Sequence, residues 1–597
     1  MSGAGQHHGE MRVTVLKEIP EDLTLARDWN RLVKRMEHPE VFFTYEWALA
    51  AARAFQATLT PLLFLMYEAD ELCGVAPMAT DKERGATASF LTAGTADYCD
   101  IVSTPQDRGD VLACLLRKVR KHGLRHLSLS QLPSDSLTWK ELPAVSRARG
   151  FHLAWRPAEE CGLVEFGSEE HRAKMLRTVT RRNRDERGFK RLSKRGSVQI
   201  THLVNPGESD RCLSQFISAQ VSRFLATGRI STLVRLEHRI FLKELAALLS
   251  VHGWLKISQL EVNGEPVAWQ YGFRFGDVWF WYLPSFKIDY EDCSPGSCLM
   301  RLLIAEGCAD PSLRELDLGI GNESYKKDFA TTVRRTYRAE LSCSLLRHIR
   351  IAAWNLVKAG AARYPQTAVR LKQARKLTGK IMSRLARRLH SEGLSATLAY
   401  TAKRATHLVV SPEESLFFEA SVTDNTETSN TCLEPLTWEN LADAAIADAD
   451  DADTLQYLLG SMPMFKDRKT PGFVLRDPKR QAVHFLFVAD ADGFHVGEID
   501  YTIRGVDPQD MLIFNCWTPA RYRGRGYYAL AIRRAAAELL ENQRRVWIAC
   551  QATNSPSIRG ILKAGFAYRY SLVRHRRLGR STVSRRDRTG ALAQFSH

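Results

Sequence analysis

Three stretches of the 597-residue chain share one design: an apolar strand, an acidic or glycine-bearing turn, and a second strand opening on a small residue. They run Leu62–Ala79 (with Gly74), Trp254–Phe273 (with Asn263-Gly264) and Val483–Tyr501 (with Asp492-Gly493). Asn-Gly and Asp-Gly between alternating strands are strong hairpin signals, because both central positions tolerate positive φ. Hairpins occur in every fold; the repeated context is the constraint. Helical sequence precedes each one (Trp47–Phe55, Ile240–Val251, Asp453–Gly460), and more strand and helix follow. Three lobes of similar α/β plan are more economical than three unrelated folds.

The charge is unevenly placed. The formal net charge is +17, yet Arg347–Arg404 holds fourteen basic residues against Glu392, and Ser571 onward holds seven Arg against one Asp. These two stretches carry +19, so the remainder sums to −2, which argues against a nucleic-acid-binding body. Ser411–Asp453 then holds twelve acids and no Lys or Arg. Its polar part, Ser421–Thr431, has too little apolar content to fold alone and reads as a linker. Within 363–389, Leu377, Ile381, Leu385 and Leu389 form a stripe flanked by Lys and Arg. Such a helix can lie on an anionic membrane or pack its stripe on a neighbouring domain. No apolar run approaches the ~20 residues of a membrane span. The N-terminus has no apolar signal core, and twelve scattered Cys without a C-x-x-C pair fit reduced thiols and no metal site. A cytoplasmic protein is expected, with peripheral contact at the inner membrane face open to it.

The densest chemistry lies near the C-terminus. A strand, Asp510–Trp517, runs into Thr-Pro-Ala-Arg521-Tyr-Arg523-Gly524-Arg525-Gly526-Tyr527-Tyr528, and a helical stretch (Ala529–Glu541) follows. A Gly/Arg loop that opens a helix after a strand is a phosphate cradle: glycines let backbone N–H groups approach, and the helix dipole favours the anion. Further on stand Asn554-Ser-Pro-Ser557 and Lys563-Ala-Gly565-Phe566. This series resembles the GNAT acetyltransferase superfamily over roughly 437–572. The resemblance implies that Arg523, Gly524, Arg525, Gly526 and Tyr527 hold an acyl-CoA pyrophosphate, with Asn554 nearby. It also implies a splayed strand at Cys516 and Trp517 that bonds the pantetheine. Two positions depart from the family. Tyr528 stands where Gly or Ala is usual, and Ile561 where many members carry a Tyr that protonates the leaving thiolate. Glu498 and Asp500, two apart on a presumed strand, share a face. Either can serve as base, or both are solvent-facing charge.

A second constellation lies upstream. Ser294-Pro-Gly296-Ser297 heads an amphipathic helix, which is sound helix-start chemistry in any protein. Leu316-Asp317-Leu-Gly319-Ile-Gly321 and Tyr325-Lys326-Lys-Asp-Phe329 follow. With an Arg-rich helix at Arg172–Arg195, the string resembles the CelD-type acetyltransferases of polysaccharide synthesis, distant GNAT relatives that also resemble the FemAB aminoacyl transferases. The resemblance covers about 13–341. It implies that Ser294, Gly296 and Ser297 face the donor's phosphates and that Lys326, Tyr325 and Asp317 lie near the reacting end. Lys326 can equally be a surface lysine, and Asp317 can serve only the Gly loop. The Arg helix is either a solvated face or a guide for an acidic donor or acceptor.

The expected fold is α/β (α+β), with three GNAT-like lobes, each a mixed, mostly antiparallel sheet flanked by helices. The expected boundaries are 1–165 and 166–345 for the CelD-type pair, 346–410 for a basic helical connector, 411–435 for an acidic linker, and 436–597 for the last lobe with its basic tail. The expected function is transfer of an acetyl or other acyl group from acyl-CoA to an amine or hydroxyl, with a saccharide or cell-envelope precursor as acceptor. FemAB-like aminoacyl transfer and a non-catalytic binding or docking role are the alternatives.

Overall fold

The computed structural model describes residues 11–363 (except 84, 86, 181–182 and 322), 413–421 and 431–587 (except 468–469, 541–543 and 578–579). The basic helix expected over 363–389 lies outside them. The architecture is mixed α/β, with large mixed sheets flanked by helices, and the chain divides into two compact units. The first comprises residues 1–223 and 235–364, the second 224–234 and 365–597.

The first unit is built on one thirteen-stranded sheet. Its strands are β1 (Arg12–Leu16), β2 (Leu59–Glu68), β3 (Glu71–Asp81), β4 (Ala88–Phe90), β5 (Val102–Ser103), β6 (His126–Pro133), β7 (His152–Glu165), β8 (Val198–Leu203), β9 (Leu255–Val262), β10 (Glu265–Phe275), β11 (Val278–Phe286), β12 (Glu315–Ile320) and β13 (Thr332–Ser342). The order is β1-β2-β3-β4-β6-β13-β7-β12-β11-β10-β9-β8, with β5 on β3. The middle of this order is an exchange. β7 follows the first half in sequence yet pairs with β12 of the second half, while β13 crosses back to pair with β6. The two exchanged strands pair with each other along ten residues. Two of the three expected hairpins are here. Asn263 and Gly264 turn between β9 and β10 at φ 53° and 77°. At the first hairpin the turn falls on Ala69 and Asp70, both at positive φ, and not on Gly74. Gly74 has another use: a Cβ there would meet the Val111 side chain at 2.7 Å. β10 and β11 are buried on both faces through 267–273 and 278–281, which sets Trp269, Trp279 and Trp281 in the core.

The second unit has an eight-stranded sheet made from β14 (Glu413–Ala420), β15 (Cys432–Pro435), β16 (Gly472–Arg476), β17 (Ala482–Asp490), β20 (Met511–Trp517), β21 (Val546–Gln551), β22 (Phe566–Arg577) and β23 (Arg580–Asp587). The small ribbon β18 (His495–Val496) and β19 (Tyr501–Thr502) stands apart. The order is β15-β16-β17-β20-β21-β14-β22-β23. Two expectations are corrected here. Residues 413–420, read as the start of an acidic linker, form a central strand in which Leu416, Phe417 and Phe418 are buried. Their acids alternate with or flank an apolar run, so charge counting hid a strand pattern. The third hairpin is the other correction: β17 pairs with β16 and β20, and the residues after Gly493 leave the sheet. Helix starts follow the sequence chemistry. Thr437 and Asn440 close a reciprocal capping box, and Asp451 caps the helix Ala452–Lys466.

Candidate active sites

In the second unit, parallel β20 and β21 are paired only from Met511–Ile513 to Val546–Ile548. Beyond that point the strands part. The cause on β20 is local. Asn515 takes φ 48°, its carbonyl accepts from Tyr457 Oη (2.8 Å), and its amide donates to Ser461 Oγ (2.9 Å). Cys516 and Trp517 lie on the diverging arm. The Trp517 ring is stacked on Tyr457 with centroids 5.2 Å apart, and Nε1 donates to Thr454 Oγ1. Burial pushes the Cys516 thiol up to about 12, so it stays protonated.

The loop after β20 is open. Gly524 and Gly526 sit at φ 77° and 82°, and a Cβ on either would meet nothing within 4 Å. The amides of Gly524, Gly526 and Tyr527 make no hydrogen bond of good geometry to the described residues, and the helix Tyr527–Leu540 begins there. The arginines are held at the rim. Arg521 pairs with Asp448 (2.8 Å), while Arg523 donates to the Thr518 carbonyl and lies over Trp517. A helix start with free N–H groups and flanking guanidinium groups is an anion site. Tyr528 leaves the loop clear: its ring points to Gly560 on the helix Ser555–Lys563. There it is half-buried near Cys516, Cys550 and Ser557, with its phenol raised well above the ordinary range, mainly by desolvation.

The other predicted residues of this unit have local roles. Asn554 caps the helix Ser555–Lys563 by accepting from the Ser557 amide (3.2 Å). Ile561 is fully buried in the core. Glu498 is exposed and lies in the turn between β18 and β19, so the strand face it was to share with Asp500 does not exist. Asp500 pairs with Arg574 (2.9 Å). Glu498 is still close enough to Cys550 to help raise that thiol. Sequence reasoning missed His484 on β17. Buried and bonded to Thr518 Oγ1 (2.8 Å), it is held neutral, its pKa lowered by burial to about 3.

The first unit has a fork of the same kind. Parallel β11 and β12 pair only over Val278–Phe280 and Glu315–Asp317. Asp317 is the last paired residue, buried, and accepts from Tyr98 Oη (2.8 Å) and the Gly319 amide (2.7 Å). Burial raises its pKa, so it serves the Gly loop and the fork together. Asp97, which sequence reasoning missed, arrives from the first half of the unit. Its Oδ2 accepts from the Ile320 amide (3.3 Å), and a Cβ on Gly319 would come within 2.5 Å of it. Burial, then the charge of Asp317, pushes Asp97 up to about 7. Lys326 is buried as well. Its ammonium donates to the carbonyls of Ile320 (2.6 Å) and Gly319 (3.4 Å) and pairs with Glu323. Tyr325 accepts from Trp281 Nε1 (3.3 Å). Asp317, Tyr325 and Lys326 thus do gather at one fork.

The helix start beside this fork is less open. Ser294 takes φ 50°, and its carbonyl already accepts from the amides of Ser297 and Cys298. Gly296 has room, the nearest atom to a Cβ being on Phe286 at 3.6 Å. The expected Arg helix is two helices, Glu169–Thr180 and Asn183–Arg195. Arg172 donates to the carbonyls of Gly307, Asp310 and Leu313 at the far end of the helix Pro295–Ala309. Arg195 forks onto Asp292. These two arginines are structural.

A third fork, between β4 and β6, is closed. Those strands pair only at Ala88–Ser89 with Leu127–Ser128, and the helix Arg108–Lys121 starts beyond them. Its first residue, Arg108, is fully buried, paired with Asp100 (3.4 Å) and Glu37 (3.1 Å), and donates to Ser103 and Thr138. All three guanidinium nitrogens are engaged by protein oxygens.

Among the described residues no group of His, Cys, Asp and Glu is arranged to hold a metal, and no helix is long and apolar enough to cross a membrane.

Residues 180–327 match the model of an acetyltransferase (GNAT) domain, and residues 452–566 that of the acetyltransferase (GNAT) family. Among solved structures the chain is similar to FemX, with 9% identity over 52% of this chain and 95% of that one (TM-score 0.37). It is similar to a conserved protein of unknown function from Bacteroides thetaiotaomicron (12%, 55% and 100%, TM-score 0.36). A tandem GNAT protein from the clavulanic acid biosynthesis pathway is a further neighbour (13%, 55% and 98%, TM-score 0.33). No curated protein matches the sequence.

Proposed function

We propose, from the matches of residues 180–327 and 452–566 to GNAT models, an acyltransferase that moves an acyl group from acyl-CoA to an amine or hydroxyl. The observation that carries this reading is the open glycine loop at the β20/β21 fork, where free amides at a helix start meet a gap between parallel strands. The diphosphate of the donor lies on the amides of Gly524–Tyr527, with Arg521, Arg523 and Arg525 at its edge. The pantetheine arm enters the fork beside Cys516 and Trp517. The acceptor nitrogen or oxygen attacks the thioester carbon, the new bond forms as C–S breaks, and the acceptor's proton leaves to a base or water. Tyr528 reaches the fork as a protonated phenol and returns a proton to the thiolate, the task Ile561 cannot perform.

In the first unit the proposal places a second donor site at Ser294, Gly296 and Ser297, with Asp317, Tyr325 and Lys326 at its reacting end. The three-lobe plan, with 413–420 now a strand of the last lobe, the CelD-type assignment, a saccharide or envelope acceptor and membrane contact through 363–389 belong to the same proposal.

Calorimetric titration of the full chain with acetyl-CoA tests it, alongside Gly526→Asp and Gly296→Asp, whose carboxylates repel phosphate. Loss in the first variant alone assigns the donor to the C-terminal domain, and loss in the second alone to the upstream one. No binding by the parent chain overturns the reading. A second, non-catalytic reading is favoured for the β4/β6 fork alone, where the Arg108 guanidinium is engaged by protein oxygens.

A further inference from the structure

A cleft of about 840 Å³ opens in the first unit against the paired end of the β11/β12 fork. Its walls bring Glu37, Glu40, Asp135, Glu165, Asp277 and Glu315 together, with Arg334, Arg314 and Lys34 as counter-charges. Two of the acids face each other directly: Glu315 on β12 is in register with Glu165 on β7. Like charges opposed across two strands destabilise a sheet; Arg314 offsets Glu315 through an ion pair of 2.6 Å, whereas Glu165 is exposed.

The cleft also contains an unsatisfied group. Glu40 is buried and pairs through Oε1 with Arg334, but its Oε2 has no hydrogen-bond partner, and neither has Arg334 Nη2. An unpaired buried carboxylate oxygen is costly, and a donor that enters the cleft relieves it. Arg334 cannot serve every acid present. It already donates to Asp135 (3.1 Å) and lies over the Tyr98 ring at 4.5 Å. Tyr98 in turn donates to Asp317, which shares a strand face with Glu315. The line Glu315, Asp317, Asp97 therefore leads from the cleft to the fork.

We infer that this cleft is the acceptor entrance of the upstream domain, and that it takes an ammonium-bearing molecule whose cationic head docks between Glu40, Glu165 and Glu315. The inference rests on reading the first unit as a transferase. Asp97, pushed up to about 7 at the fork end of this line, suits acceptance of the ammonium proton before attack. Acylation would cancel the charge that holds the acceptor and so favour release.

The test titrates the full chain calorimetrically with lysine, glucosamine and spermidine, using Nε-acetyl-lysine and N-acetylglucosamine as uncharged-head controls, without acyl-CoA. At least one ammonium probe should bind, at least tenfold more tightly than any acetylated control tested. Glu165→Gln, an exposed substitution, and Glu40→Gln should each weaken it about tenfold or more, with circular dichroism reporting the fold. Absence of binding by all three probes, equal binding of the acetylated partners, or unchanged binding in a folded Glu165→Gln overturns the inference. Ammonium binding with no transfer in the presence of acetyl-CoA would instead refute the transferase reading and leave the cation site standing.

Discussion

The ring of Tyr528 lies against Gly560: a Cβ at position 560 would come within 2.4 Å of the ring edge. The bulk of Tyr528 is accommodated on the facing helix by a glycine one residue before Ile561.

Gly560→Ala should overpack this contact and destabilise the second unit by about 1–3 kcal/mol, read from chemical denaturation. Tyr528→Phe keeps the packing and removes the phenol. Acetyl-CoA affinity should hold while turnover falls about 10²-fold, the low end for loss of a general acid. Equal loss of affinity and turnover would instead make Tyr528 a packing residue.

Phe418 on β14 is fully buried, paired toward β21 on one side and β22 on the other. Phe418→Ala should cost about 3–5 kcal/mol. Deleting residues before 421 should leave the 436–597 region unable to fold cooperatively, as thermal denaturation of the truncated chain would reveal.

Arg108→Ala strips the countercharge from Asp100 and Glu37 and leaves Asp100 buried and unpaired. Loss of one partner of a buried ion pair costs about 3–5 kcal/mol, so the variant should unfold at markedly lower denaturant. Acetyl-CoA binding by whatever remains folded should be unchanged, because that fork carries no donor site.

Glu40 and His484 should contribute to stability with opposite dependences on pH. Glu40 binds a proton at about 8 when folded against 4.5 for a free glutamate, so its contribution is complete below about 4.5 and is lost as pH rises to about 8. Asp97 acts in the same direction up to about 7. His484 is depressed from 6.5 to about 3, so its contribution is present above 6.5 and lost as pH falls toward 3. Thermal unfolding across pH 3–8 should show Glu40→Gln flattening the alkaline loss and His484→Gln flattening the acid loss.

Local chemistry was legible in the sequence where one peptide carries it. The Asn263-Gly264 turn and the strand–loop–helix around Gly524 and Gly526 stand where spacing placed them. Partners distant in sequence were not legible. Asp97 lies 220 residues before Asp317, and nothing near it announces a carboxylate aimed at another strand's amide. Arg172 looked like free positive charge, yet it caps the C-terminal end of a helix more than 130 residues away. The Asp492-Gly493 signal misled for a further reason: a turn dipeptide fixes a reversal but not which strand the returning chain will join.

The crossing of β7 and β13 has a consequence for biosynthesis. The sheet of the first half lacks its neighbour beyond β6 until residue 342 has left the ribosome, about 200 residues after β6 itself. At ~5–20 residues per second that is a delay of roughly 10–40 s, during which an unpaired edge is exposed to the cell. The nascent chain is thus exposed to aggregation in that interval, and a chaperone that masks a β edge would matter most between the emergence of Pro133 and that of Ser342.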